Sequence, residues 1–194
     1  MEIGATKAVQ DRLKTTKIEE SKGASLVFCW DTHLTKIKGR NVLFIVNASN
    51  RYTIAMTDIE PRNWNYYTMY ISSVIHGVMQ EMGYSEDQIG QYFKMSGDTT
   101  VTKTHGRKSV GGINRMVMDA QYFGKKLEKE AKYQWELSEY LNRDICQPEG
   151  FDAYGYPSEL FKLDMERLGI ISKRKPAKII DFTKYIDTNR STNH

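Results

Sequence analysis

Residues 25–57 read SLVFCWDTHLTKIKGRNVLFIVNASNRYTIAMT, and this stretch decides the fold. Within it Val42, Leu43, Phe44, Ile45 and Val46 form an unbroken block of mostly β-branched and aromatic residues. A strand apolar on both faces must be covered on both, so this one is expected to be central in its sheet. The flanking runs are less apolar. Leu26, Phe28 and Trp30 alternate with Val27, Cys29 and Asp31, and Tyr52, Ile54 and Met56 alternate with Thr53, Ala55 and Thr57, the period of half-buried strands. Lys38-Gly39-Arg40-Asn41 and Ala48-Ser49-Asn50-Arg51 supply turn residues between them. The stretch predicts an antiparallel β-meander.

Working outward, Met1 to Ile3 predicts a short edge strand, followed by a helix capped by Thr6 that carries Val9 and Leu13 and ends near Thr15. C-terminal to the meander, Pro61 preceded by Asp58 and Glu60 announces a helix. Trp64, Tyr67, Ile71, Val74, Ile75, Val78 and Met82 give it an apolar stripe, and Gly83 stops it. Ser85 with Gln88 fits a capping box for a shorter helix bearing Ile89, Tyr92 and Phe93. DTTVTKT, residues 98–104, reads as a strand returning to the sheet. From Ser109, as N-cap, a long helix is expected to about Asn142, with Glu128 and Lys132 as an i,i+4 pair. A short helix over residues 158–168 follows, then the basic break Lys173-Arg174-Lys175, then a last element around Ile179, Ile180, Phe182, Tyr185 and Ile186. The expected class is α+β: an antiparallel meander sheet packed against helices in a core domain of residues 1–124, with a helical C-terminal extension of residues 125–194.

Composition narrows the function. At 194 residues, 40% hydrophobic and 27% charged, the chain has the make-up of an ordinary globular protein. Its net charge of +4 permits a nucleic-acid or acidic-protein partner without demanding one. Cys29 and Cys146 lie far apart with no metal-ligand spacing, which predicts reduced thiols, no metal and no cofactor. MEIGATKAVQDRLK lacks an apolar signal region, and no run approaches the ~20 apolar residues of a membrane span, so a cytoplasmic location and no membrane partner are expected.

Several residues are able to carry chemistry. Asp31 and His33, two apart on one strand, share a face and suit a general acid/base pair or metal ligands; the commoner role of such a pair is a hydrogen bond that pins a hairpin. His76, beside Ile75 in a helix, reads as structural. TKTHGRKS, residues 102–109, sets Lys103, His105, Arg107 and Lys108 on a strand-to-helix turn. That is a plausible phosphate or carboxylate site, or else a solvated basic turn; its glycine spacing is not that of a Walker loop. Lys36, Lys38 and Arg40 form a second basic cluster, and Arg51 stands on the next turn. Gly111-Gly112 implies a close backbone approach to a neighbour such as the Trp64 helix.

The order ATKAVQDRL, WDTHLTKIKGRNVLFIVNASNRYTI, then TVTKTHGRKSVGGIN resembles a family of small uncharacterised proteins from bacteria, phages and plasmids. The matching positions are Trp30, His33, Asn47, Arg51, Thr102, Thr104, Arg107, Gly111 and Asn114, over about residues 1–123. Lys108, between Arg107 and Ser109, departs from the pattern and loosens its register. Some mobile-element proteins similar to this family are anti-CRISPR inhibitors of Cas9, including ones that shorten the guide RNA. The resemblance therefore implies an inhibitor of a type II (Cas9) effector that binds Cas9 or its guide RNA, with Asp31 and His33 as candidates for any RNA cleavage. Lys36, Lys38, Arg40, Arg51, Lys103, His105, Arg107 and Lys108 are then the candidates for binding RNA or partner. The alternative is a non-catalytic phage or plasmid accessory module that holds a protein.

Overall fold

The computed structural model describes residues 1–14 and 18–172. The Lys173–Lys175 break and the last expected element lie outside them, as does Thr15. The described chain runs β1 (Glu2–Ala5), α1 (Lys7–Leu13), a 3-10 turn at Leu26–Phe28, β2 (Cys29–Ile37), β3 (Arg40–Asn47) and β4 (Thr53–Thr57). It continues α2 (Pro61–Asn65), α3 (Tyr67–Glu81), α4 (Glu86–Ser96), β5 (Thr100–Thr102), α5 (Gly106–Gln121), α6 (Trp135–Asn142) and α7 (Pro157–Arg167).

The five strands form one sheet in the order β4-β3-β2-β1-β5. The meander is present: β2, β3 and β4 pair antiparallel. Its first turn holds only Lys38 and Gly39, at φ 49 and 82, because Ile37 pairs with Arg40; two positive-φ residues make the hairpin turn whose twist matches its strands. The sheet as a whole is mixed, however, and not a purely antiparallel meander. β1 pairs parallel to both β2 and β5. The α1 crossover between β1 and β2 makes the first parallel pairing possible. β1 is consequently interior and not the expected edge strand.

β3 is clothed on both sides. Leu43 and Ile45, with Ile3, Trp30 and Ile54, meet Ile71 and Ile75 of α3, Tyr92 of α4 and Phe161 of α7. Val42, Phe44 and Val46, with Ile37 and Ala55, meet Ile113 and Met116 of α5 and Leu137 and Leu141 of α6. These cores draw on residues from both sides of the expected 124/125 boundary.

Two helix expectations need correction. The Pro61 helix breaks at Tyr66 (φ −115, ψ 42) into α2 and α3. The capping box of α4 forms as read: the Ser85 hydroxyl accepts from the Gln88 amide, and the Ser85 amide donates to Gln88 Oε1 at 2.9 Å. The long helix is two, and it starts earlier than Ser109, with His105 at the N-cap position. The segment between α5 and α6 covers the edge of β4: the Thr57 amide donates to Lys132 O at 2.8 Å, and the Gln134 amide to Ala55 O at 2.9 Å. Lys132 pairs with Glu60, not with Glu128. Covering an exposed sheet edge removes a site of unwanted strand pairing.

Candidate functional site

On the α5 face of the sheet, a polar cluster sits where β1, β2 and the turn after β5 meet. Register places Glu2 beside Cys29 and Gly4 beside Asp31, all on one face. Gly4 is required here. A Cβ on it would come within 1.8 Å of Asp31 Oδ1 and 3.0 Å of His105 Nδ1, so the imidazole lies over bare backbone.

His105 spans the cluster. Its Nδ1 bonds Asp31 Oδ1 at 2.7 Å, and its Nε2 bonds Glu2 Oε2 at 3.0 Å. Its backbone amide also donates to Asp31, and the Ser109 hydroxyl donates to Asp31 Oδ2. Glu2 is held from its other side by the Ser21 hydroxyl at 2.6 Å and the Lys22 amide at 2.8 Å. Glu2, Cys29, Asp31 and His105 are all buried. Burial alone pushes the imidazole pKa down. The hydrogen bond and charge of Asp31, with the Cys29 sulfur acting in the same sense, outweigh it and raise His105 to about 10. Burial likewise opposes ionisation of Glu2, but bonds from Ser21, the Lys22 amide and His105 prevail and lower its pKa. The raised pKa of His105 and the lowered pKa of Glu2 both favour a proton on the imidazole in this cluster.

Beside it, a cleft of about 200 Å³ opens between the β3–β4 turn and α5, lined by Asn47, Arg51, Lys108, Ser109, Gly112 and Pro148. Ser109 joins the two, since its hydroxyl bonds Asp31. Arg51 stands in the left-handed region at φ 64, and a Cβ placed on Gly112 would lie 3.7 Å from Arg51 Cδ. A Cβ on Gly111 would meet nothing within 4 Å and one on Gly112 only an ordinary contact with Arg51, so the expected close backbone approach is absent, and the Trp64 helix packs on the opposite face of the sheet.

Asp31 and His33 share a face but not a partner. Asp31 serves His105 and Ser109, whereas His33 Nδ1 meets Thr6 Oγ1 at 3.1 Å. His33 is half-buried, and that burial lowers its pKa. Neither the expected acid/base pair nor a hairpin-pinning bond between them exists among the described residues.

The basic residues have mixed fates. Arg40 bonds Asp58 and Glu128 O, Lys103 bonds Glu20, and Arg51 lies 4.0 Å from Asp144. Lys38 reaches Lys125 O at 2.8 Å and Lys108 reaches Pro148 O at 3.2 Å, contacts that tether an ammonium without neutralising it. His105, expected at an exposed phosphate site, is instead tucked inside. Lys36 and Arg107 are exposed, without a charged partner among the described residues.

Sequence reading missed Glu2 and Cys29 as members of any site. Spacing along the chain cannot reveal residues joined across neighbouring strands. The one local signal was a glutamate in the otherwise apolar MEIGA strand. No helix is long and apolar enough to cross a membrane among the described residues.

No curated protein and no solved structure matches the chain. One family model does, described as "Domain of unknown function (DUF6933)", and it matches residues 2–160, from β1 into α7. The chain belongs to the DUF6933 family.

Proposed function

We propose that this protein is a non-catalytic interaction module that holds a protein partner. A Cas9 effector, implied by the resemblance of residues 1–123 to mobile-element inhibitors, is the first partner to test. The observation that carries the reading is the state of the Glu2–Asp31–His105 cluster. A general base works best with a pKa near the operating pH and within reach of substrate. His105 is held protonated near pKa 10, its side chain only 3% exposed, and both of its nitrogens are occupied. Such a group stabilises a fold more readily than it moves a proton.

The surface supports the same reading. A groove of about 530 Å³ runs between α5 and α6, lined by Phe123, Trp135, Glu136, Glu139 and Tyr140. Of its lining residues Trp135 and Tyr140 are exposed, by 46% and 42%. Tyr and Trp are enriched at protein interfaces, where a large apolar body with a polar tip suits a surface that is wet until the partner arrives.

The test mixes the purified chain with Cas9, guide RNA and target DNA, then measures cutting and runs the guide on a gel. Target cutting is expected to fall as the chain is added in excess, with the guide left intact. A shortened guide would replace this reading with a catalytic one, and unchanged cutting would remove Cas9 as the partner. Binding to free guide RNA that weakens steeply with salt would move the partner from protein to RNA, through Arg107, Lys108, Lys36 and Lys38.

A further inference from the structure

We propose that Glu2, Cys29 and His105 form a binding site for a zinc-class divalent cation, in which the metal takes the place of a proton at the heart of the buried cluster. One donor atom from each of the three lies within 4.8 Å of the other two, and all three residues are buried. With metal–ligand bonds of about 2.0–2.3 Å, tetrahedral zinc sets its ligand atoms roughly 3.3–3.7 Å apart. His105 Nε2 and Glu2 Oε2 stand at 3.0 Å and part by less than an ångström, while the Cys29 sulfur, within 4.8 Å of the other donors, closes by at most roughly 1.5 Å to complete the shell.

The surroundings already carry the supports that such ligands need. A metal-bound histidine characteristically donates its other ring N–H to a carboxylate, which fixes the tautomer and aims the free nitrogen. Here Nδ1 sits 2.7 Å from Asp31 Oδ1, leaving Nε2 directed at Glu2. Glu2 is oriented in turn by the Ser21 hydroxyl and the Lys22 amide, one on each oxygen. Cys29 is the least explained member of a purely ionic cluster. A buried thiol ordinarily behaves as a small hydrophobe, yet this one lies among a carboxylate and an imidazole. Its thiol has Ser25 O at 3.5 Å and Ala24 O at 3.7 Å, ordinary distances for sulfur, and its sulfur also faces the His105 imidazole.

The donor set selects the ion. Calcium and magnesium take oxygen ligands, whereas thiolate with imidazole and carboxylate suits zinc or cobalt. Binding releases the Cys29 thiol proton and the Nε2 proton to solvent, and three protein ligands leave one tetrahedral position for water. The proposal goes beyond the interaction-module reading and draws on the same cluster: a bound metal would replace the Nε2 proton of His105, and the module reading would then rest on the surface groove alone.

The full chain, stripped with chelator and refolded, is titrated with Co²⁺ as the spectroscopic stand-in for zinc. One equivalent is expected to give a thiolate-to-cobalt charge-transfer band and tetrahedral d–d absorption, and zinc is expected to bleach both. Cys29→Ser should abolish the charge-transfer band, while Cys146→Ser, which alters the other thiol, should leave it intact. Asp31→Asn keeps all three ligands and is expected to weaken affinity about 10–100-fold. Glu2→Gln, which retains the sulfur, should shift the d–d absorption and supplies a second reading if Cys29→Ser does not fold. A folded wild-type chain that develops no cobalt absorption, or a band that survives Cys29→Ser or vanishes with Cys146→Ser, overturns the site.

Discussion

At the residue scale, two histidines on one sheet face experience opposite fields, and stability at different pH should separate them. His33 meets only a hydroxyl, and burial lowers its pKa. As pH falls below about 6.5, the unfolded chain takes up a proton that folded His33 resists, so this residue costs stability between about pH 7 and 5. Urea titrations of His33→Asn should show less loss of stability over that range than wild type; equal loss would mean that His33 is freely solvated. His105 acts with the other sign. Its raised pKa contributes stability that is fully present below about 6.5 and lost as pH rises through 10. Gly4 underlies that contribution, since any side chain would strike Asp31 and the imidazole. Gly4→Ala is expected to destabilise the chain by about 1–3 kcal/mol in denaturant unfolding, as overpacking does, and a neutral result would show that the cluster yields easily.

At the scale of elements, α4 is tied to the sheet by a buried relay. Trp30 Nε1 donates to the Tyr92 hydroxyl at 2.9 Å, and that hydroxyl donates to Val27 O at 2.7 Å. Tyr92→Phe would leave the buried Trp30 N–H unpaired, while Val27 O keeps its bond from Asn47 Nδ2, at an expected loss of about 1–3 kcal/mol, read from the unfolding midpoint. A loss no larger than for an exposed Tyr→Phe substitution would show that the relay contributes little. The meander was legible because its information is local: an apolar block, alternating flanks and a Lys-Gly turn. The parallel partners of β1 were not legible. One pairing depends on the α1 crossover, and the other joins Glu2 to Thr100 across about half the chain. The break between α5 and α6 was hidden for a similar reason. Helical spacing continues through Leu127 and Ala131, yet backbone bonds to the edge of β4 and the Gln134 side chain on Thr57 and Glu128 O win over propensity. The site was half visible. Asp31 and His105 each stood out by residue type, but their pairing needed the sheet.

At the scale of the whole molecule, the sheet is covered on both faces and along the β4 edge, which leaves the outer surfaces of the helices and the β2–β3 hairpin exposed. If the α5–α6 groove holds the partner, Trp135→Ala should weaken partner binding at least tenfold without lowering the melting temperature, because the residue is 46% exposed. Unchanged binding would move the interface elsewhere.

The central claim is that His105 is a locked imidazolium of the fold and not a working base. It is tested most directly by nuclear magnetic resonance of the metal-free chain with ¹⁵N-labelled histidine, followed across pH. The account expects both His105 nitrogens protonated at pH 7, shielded from exchange, and titrating near 10. A neutral tautomer at pH 7, with a midpoint near the ordinary 6.5, would contradict it.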